Sequence, residues 1–267
     1  MRIKYAKRGP MRFTSHRDFA RALERAVRRA GIPVAFSQGF TPHPKISYAS
    51  AAPTGAASEA EFLEIGLQAP MDADKLREAL DAALSPGLDI LAAVPADGGP
   101  GLAELIDASR WRVELPGVAP AELERAVAAF QAAPEVTIER LTKQGKRSVD
   151  IRTAVVRIAA LPADAGAPPA DTKPAGTAVP APPGAQPCAI LDVVVRQVTP
   201  SVRPDDVLAG LRVVADLVPP VPPRATRLAQ GRLTDQGDIV DPLVAGGGMS
   251  NDGASIGDPS EQDGQGL

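Results

Sequence analysis

The sequence predicts an α+β chain built from tandem ferredoxin-like lobes, each a βαββαβ unit with an antiparallel sheet. Three observations lead there. Over roughly the first ninety residues, period-two and helical apolar patterns follow one another as strand, helix, strand, strand, helix, strand. A weaker copy of that order runs from residue 107 to 230. Between strands of the copy lies a stretch, 161–187, in which eight of 27 residues are Pro and eight are Ala, too little apolar bulk to offset its ordering entropy. The expected organisation is a first lobe at 1–97, a second at 107–230 with a disordered insertion at 161–187, and a disordered acidic tail at 231–267.

Each element has a local reason. Arg2–Lys7 alternates, with Ile3 and Tyr5 on one face, as a half-buried strand does. Ser15 can cap a helix over Ser15–Ala30, with Asp18 in the capping-box position. Phe19, Ala22, Leu23, Ala26, Val27 and Ala30 make its buried face, and Gly31 and Pro33 end it. Lys45–Ala51 and Glu61–Leu67 read as strands. Asp72 opens a second helix whose Leu76, Leu80 and Leu84 point inward, and Leu88–Val94 closes the unit. In the copy, Trp111, Val113 and Leu115 mark a strand, and Pro120 begins a helix carrying Leu123, Val127 and Phe130. Val136–Leu141 and Ser148–Arg152 flank a Gln144-Gly145 turn as a hairpin. Ala189–Val198 is an apolar strand, Pro204–Leu211 a short helix, and Arg224–Gln230 the last strand.

Composition removes several chemistries. One cysteine, Cys188, excludes a disulfide framework and a cysteine-only metal or cluster site within the chain; it reads as a small buried hydrophobe. Two histidines, His16 and His43, exclude a three-histidine metal centre. No GxGxxG or GxxxxGK[ST] loop is present. No apolar run reaches the roughly 18 residues of a membrane span, and the basic N-terminus lacks the apolar core of a signal peptide. The expectation is a cytoplasmic protein with no membrane contact, no cofactor and no metal.

Charge is more informative than its total of −3. Residues 1–50 carry eleven Lys/Arg against Asp18 and Glu24, a balance of +9, whereas 231–267 is at −6. Arg17, Arg21, Arg25 and Arg28 fall along one side of the first helix, opposite Phe19 and Leu23. Guanidinium forks on one rigid element suit phosphates; the plainer alternative is a solvated face with Glu24 pairing Arg28. The loop Ser37–Ser50 gathers Phe40, His43 and Lys45 among prolines that hold the backbone extended. It can stack a base and touch a phosphate, or it can be a connection whose Phe40 plugs the core. His16 at the helix start and His43 in the loop are weak candidates for general acid or base work. Glu59 and Glu61 read as a solvated strand start, and the acidic tail as a competitor for the basic lobe.

The run GPMRFTSHRDFARALERAVRRAGIPVAFSQGFTPHPKISYASAAPTGAASEAEFLEIGL resembles the opening of a bacterial family of uncharacterised radical-SAM-linked domains. The likeness continues through LIDASRWRVEL, VDIR and SVRPDDVLAGL. Members of that family occur fused behind, or encoded beside, cobalamin-type radical SAM proteins and near ribonuclease E/G-type genes. The resemblance implies an accessory role in RNA modification or processing, with a separate radical SAM enzyme as partner, because this chain lacks the cluster cysteines. The leading expectation is therefore a non-enzymatic RNA-binding module using Arg17, Arg21, Arg25, Arg28, Phe40, His43 and Lys45. Two alternatives stand beside it. One is a metal-independent endoribonuclease using His16 or His43, by analogy with CRISPR-repeat-processing enzymes of tandem ferredoxin-like architecture. The other is a pure protein-interaction partner of the radical SAM enzyme.

Overall fold

The computed structural model of the chain describes residues 1–96, 98–142, 145–162 and 187–245. It is a mixed α+β fold, mostly sheet. The first unit begins with β1 (Arg2–Lys7) and α1 (His16–Arg29). The Ser15 hydroxyl oxygen accepts from the Asp18 N–H at 3.2 Å, satisfying one of the free donors of the first turn. Asp18 returns to the same hydroxyl at 2.6 Å rather than to the Ser15 backbone. The helix ends at Gly31, whose φ of 64° only glycine adopts cheaply. Next come β2 (Ile46–Ala49), β3 (Ala57–Ile65), α2 (Ala73–Ala83, capped by Asp72) and β4 (Leu88–Val94). All their pairings are antiparallel: β4 on β1, β1 on β3, and β2 along the second half of β3.

The second unit contains β5 (Ala108–Pro116), α3 (Pro120–Ala132), the hairpin β6 (Thr137–Thr142) and β7 (Gly145–Asp150), then β8 (Val155–Leu161), β9 (Cys188–Arg196), α4 (Pro204–Ala215) and β10 (Arg224–Leu233). Across the sheet these run β10-β5-β9-β8, again all antiparallel. With the hairpin set aside, both units share one order: last strand, first, third, second. The units meet where β10 lies parallel to the first half of β3, Thr226 opposite Ala57 and Arg227 opposite Ser58. Nine of the described strands thereby form one continuous sheet.

Three features depart from the sequence reading. The hairpin forms but stays out of the main sheet; it packs Val136, Ile138, Val149 and Ile151 into the second core, and β8 takes the sheet position. β8 escaped notice because Arg157 and two alanines blur its alternation. β3 starts at Ala57, four residues before Glu61, because small residues there pair with a strand far along the chain. Finally, 231–245 is ordered. β10 runs on to Leu233, β11 (Ile239–Val240) pairs with it, and the single turn α5 (Pro242–Ala245) buries Leu243. Predicted disorder at 163–186 and 246–267, and the Gln144 turn position, lie outside the described residues.

Helices and sheet enclose two cores. One joins Ile3, Tyr5, Leu63 and Ile65 to Phe19, Leu23 and Leu76; the other joins Trp111, Val113, Leu191 and Val193 to Leu123, Phe130 and Leu211. A third cluster, Phe62, Leu102, Ile106 and Leu243, covers the opposite face of the first unit. Among the described residues, no helix is long and apolar enough to cross a membrane.

Candidate nucleic-acid interface

Burying Phe19, Leu23, Ala26 and Val27 turns the other side of α1 to water. Arg17, Arg21, Arg25 and Arg28 are all exposed. Arg28 sits 4.0 Å from the Glu24 carboxylate and donates to the Glu24 carbonyl at 3.3 Å. The side chains of Arg17, Arg21 and Arg25 have no ion-pair or hydrogen-bond partner among the described residues. The solvated-face alternative therefore applies best to Arg28, while three guanidinium groups keep their full donor capacity.

The other basic residues near the N-terminus are largely committed elsewhere. Arg2 bonds Glu64 at 3.0 Å, and Lys4 bonds Asp241 at 2.7 Å. Arg8 holds Glu59 through two nitrogens and Asp89 at 2.8 Å, and the Glu59 hydrogen bond keeps its guanidinium more basic than usual. Lys7 is buried, donating to the Ala52 carbonyl at 3.3 Å, and burial pushes its ammonium below the usual lysine range. The +9 counted over 1–50 is thus an overstatement of surface charge, since acids from three later segments enter it. One of them, Asp241, belongs to the segment expected to be a free tail.

The loop before β2 is a held structure. Ser37 donates its N–H to the His43 carbonyl at 2.8 Å, and its Oγ accepts from the His43 N–H at 3.0 Å. Phe36 bridges Pro44, and Lys45 donates to the Ala35 carbonyl at 2.7 Å. These bonds close a ring of backbone around Gly39 and Phe40. Phe40 is 110 % exposed, so it does not plug the core. A large ring in water at the tip of a braced loop is available for stacking. His43 and Lys45 are exposed beside it.

The two histidines do different things. The His16 ring meets Tyr48 edge-on with centroids 4.8 Å apart, and Tyr48 in turn meets Phe19 at 6.0 Å. This chain of rings fixes the start of α1 to β2, the strand the loop enters. Burial pushes the Tyr48 hydroxyl up to about 12. Neither imidazole has a hydrogen-bonded titratable partner among the described residues, and no three His, Cys, Asp or Glu side chains there group closely enough to hold a metal ion.

Glu61 is the largest surprise. Instead of a solvated strand start it is 2 % exposed and ion-paired with Arg227 of β10. Cys188 is half-buried rather than buried. Sequence reading also passed over Arg196, Arg203 and Gln230, which the fold brings beside Arg227 from separate segments; no local pattern links positions so far apart.

Residues 1–204 match the family described as "Uncharacterized protein conserved in bacteria" (DUF2344). The chain belongs to that family. The match spans the whole first unit, including α1 and the Phe40 loop, and ends at the first residue of α4. No curated protein matches the sequence.

Proposed function

We propose that the chain is a cytoplasmic accessory module that binds RNA and acts with a separate radical SAM enzyme in RNA modification or processing. One observation carries the RNA part: Arg17, Arg21 and Arg25 stand exposed and unpaired among the described residues on one face of α1, anchored through Tyr48 to the strand that follows the Phe40 loop. Arginine forks contact phosphates and an exposed ring stacks on an unpaired base, the two terms that dominate recognition of single-stranded or looped RNA. The enzyme partner rests on the resemblance of the opening sixty or so residues to radical-SAM-linked domains.

We also read the two units as ferredoxin-like lobes. The strand orders β4-β1-β3-β2 and β10-β5-β9-β8, with helices after the first and third strand of each, support that reading.

The test is fluorescence anisotropy with transfer and ribosomal RNA fragments across a salt series, comparing wild type with an Arg17/Arg21/Arg25→Ala triple variant. Expected is a steep salt slope that falls by about two to three phosphate contacts in the variant. No binding at low salt, or an unchanged slope, removes RNA from α1. Co-purification of a radical SAM enzyme that survives ribonuclease would then support a pure protein-interaction role.

A further inference from the structure

Where the two units meet, a cavity of about 190 Å³ opens between the β2–β3 loop, the ends of β5 and β9, the turn before α4, and β10. Its lining includes three arginines, Arg196, Arg203 and Arg227, and no carboxylate among the described residues. Arg227 is fixed: it pairs with Glu61, its Nε donates to Ser58 Oγ at 3.3 Å, and its guanidinium lies 5.4 Å from the Trp111 ring centroid. Arg196 and Arg203 are exposed, and neither side chain has an ion-pair or hydrogen-bond partner among the described residues. The third component is Gln230, 1 % exposed. Its Nε2 donates to the Ala60 carbonyl at 2.6 Å, which fixes the amide orientation and leaves Oε1 as a buried acceptor without a partner among the described residues. An unmet buried acceptor costs free energy that a bound donor recovers.

We infer that this inter-unit cavity binds a ribose phosphate, with Arg196 and Arg203 on the phosphate and the Gln230 amide oxygen accepting from a sugar hydroxyl. Two exposed arginines at the rim supply charge-assisted bonds to an anion, and no lining carboxylate among the described residues repels it. Once a small shift of the Gln230 amide opens Oε1 to the cavity, it takes a donor separate from the anion that the arginines hold: a sugar supplies such a hydroxyl, whereas the single hydroxyl of hydrogen phosphate lies on the anion itself. The volume takes several waters and hence a group of sugar-phosphate size. The ligand is either a free sugar phosphate or a nucleotide of an RNA strand, which share this chemistry. The inference does not depend on RNA at α1, since none of its residues belongs to that face.

Trp111 lines the cavity and is the chain's single tryptophan, so its fluorescence reports occupancy. The full chain is titrated with ribose 5-phosphate, ribose and inorganic phosphate, with calorimetry run in parallel. Expected is saturable binding of ribose 5-phosphate, stronger than that of either fragment. Arg196→Ala/Arg203→Ala, which changes exposed side chains only, should weaken it at least tenfold or so. Gln230→Leu should narrow the preference for ribose 5-phosphate over inorganic phosphate. The Arg17/Arg21/Arg25→Ala variant should bind the sugar phosphate as wild type does, which separates this site from α1. Displacement by a 5′-phosphorylated oligoribonucleotide identifies the strand as source; binding without displacement identifies the free sugar phosphate. Absence of saturable binding by both methods, or equal binding by the double arginine variant, overturns the inference.

Discussion

Arg227 of β10 reaches across the parallel seam to Glu61 of β3, and the pair is enclosed: their side chains are 4 % and 2 % exposed. Glu61 also accepts from the Ala52 N–H at 3.0 Å, and the Arg227 Nε donates to Ser58 Oγ. A single side chain of the second unit thus ties a strand and, through Glu61, a loop of the first. Lys7 lies in the same interior, and the Glu61 charge partly counters its loss of hydration.

This arrangement predicts an asymmetry. Glu61→Gln leaves Lys7 and Arg227 buried together without an anion, whereas Arg227→Met leaves Glu61 with Lys7. Breaking a buried pair costs about 3–5 kcal/mol, so both variants should unfold at lower urea, Glu61→Gln the lower. The double variant should lose less than the two single losses combined. Additive losses, or midpoints unmoved, would contradict the coupling.

Alkaline stability should follow the two tyrosines. Burial raises Tyr5 well above its ordinary value of 10.0, and Tyr48 to about 12. Folded pKa values above the unfolded ones mean that the native state holds protons the unfolded chain has released. The Tyr48 contribution is complete below about pH 10 and is lost as pH rises through about 12, and that of Tyr5 is lost in the same direction. Tyrosinate absorbance of the native protein should stay low past pH 10, and Tyr48→Phe should flatten the alkaline loss. Ionisation near pH 10 without unfolding would refute it.

Phe40 offers a separation of stability from binding. Its ring is fully exposed, so Phe40→Ala should change the unfolding free energy by no more than about 0.5 kcal/mol. If the loop stacks a base, the same change should weaken binding of single-stranded RNA by about 1–3 kcal/mol. A destabilised Phe40→Ala protein would show the ring packs against something.

Gly231 should tolerate no side chain. A Cβ there would overlap the carbonyl oxygen of Val240 and crowd Pro242. Gly231→Ala is expected to push β11 off β10 and cost about 1–3 kcal/mol, seen as faster amide exchange across the β10–β11 pairing of Arg232 and Leu233 with Val240 and Ile239. Unchanged exchange would mean the segment docks some other way.

Much of this architecture was legible locally. Strands and helices with strong periodicity, such as Arg2–Lys7 and the Phe19–Val27 face of α1, fold where their patterns put them, and Ser15 and Asp72 cap as their types suggest. What stayed hidden depends on distant partners. Ala57–Ala60 extends β3 between β1 and the distant β10, and Glu61 is buried where Arg227 of β10 and the Ala52 N–H meet its carboxylate. Segment charge misled for the same reason: Arg8 looks free until Glu59 and Asp89 are brought to it. On the candidate interface, the helix spacing foretold which arginines share a face, while the exposure of Phe40 needed the fold.

The parallel seam also sets a timetable. Ser58 and Arg227 are separated by 169 residues, roughly 10–30 seconds of translation. A nascent chain can assemble β1 to β4 before then, yet half of β3's outer edge waits for a strand the ribosome has not made. During that interval the open backbone is a template for the same segment of a neighbouring chain on the polysome. Arg227 and Gln230 close that window on arrival, each bonding β3, so the late-made β10 also ends the period of greatest exposure to mispairing.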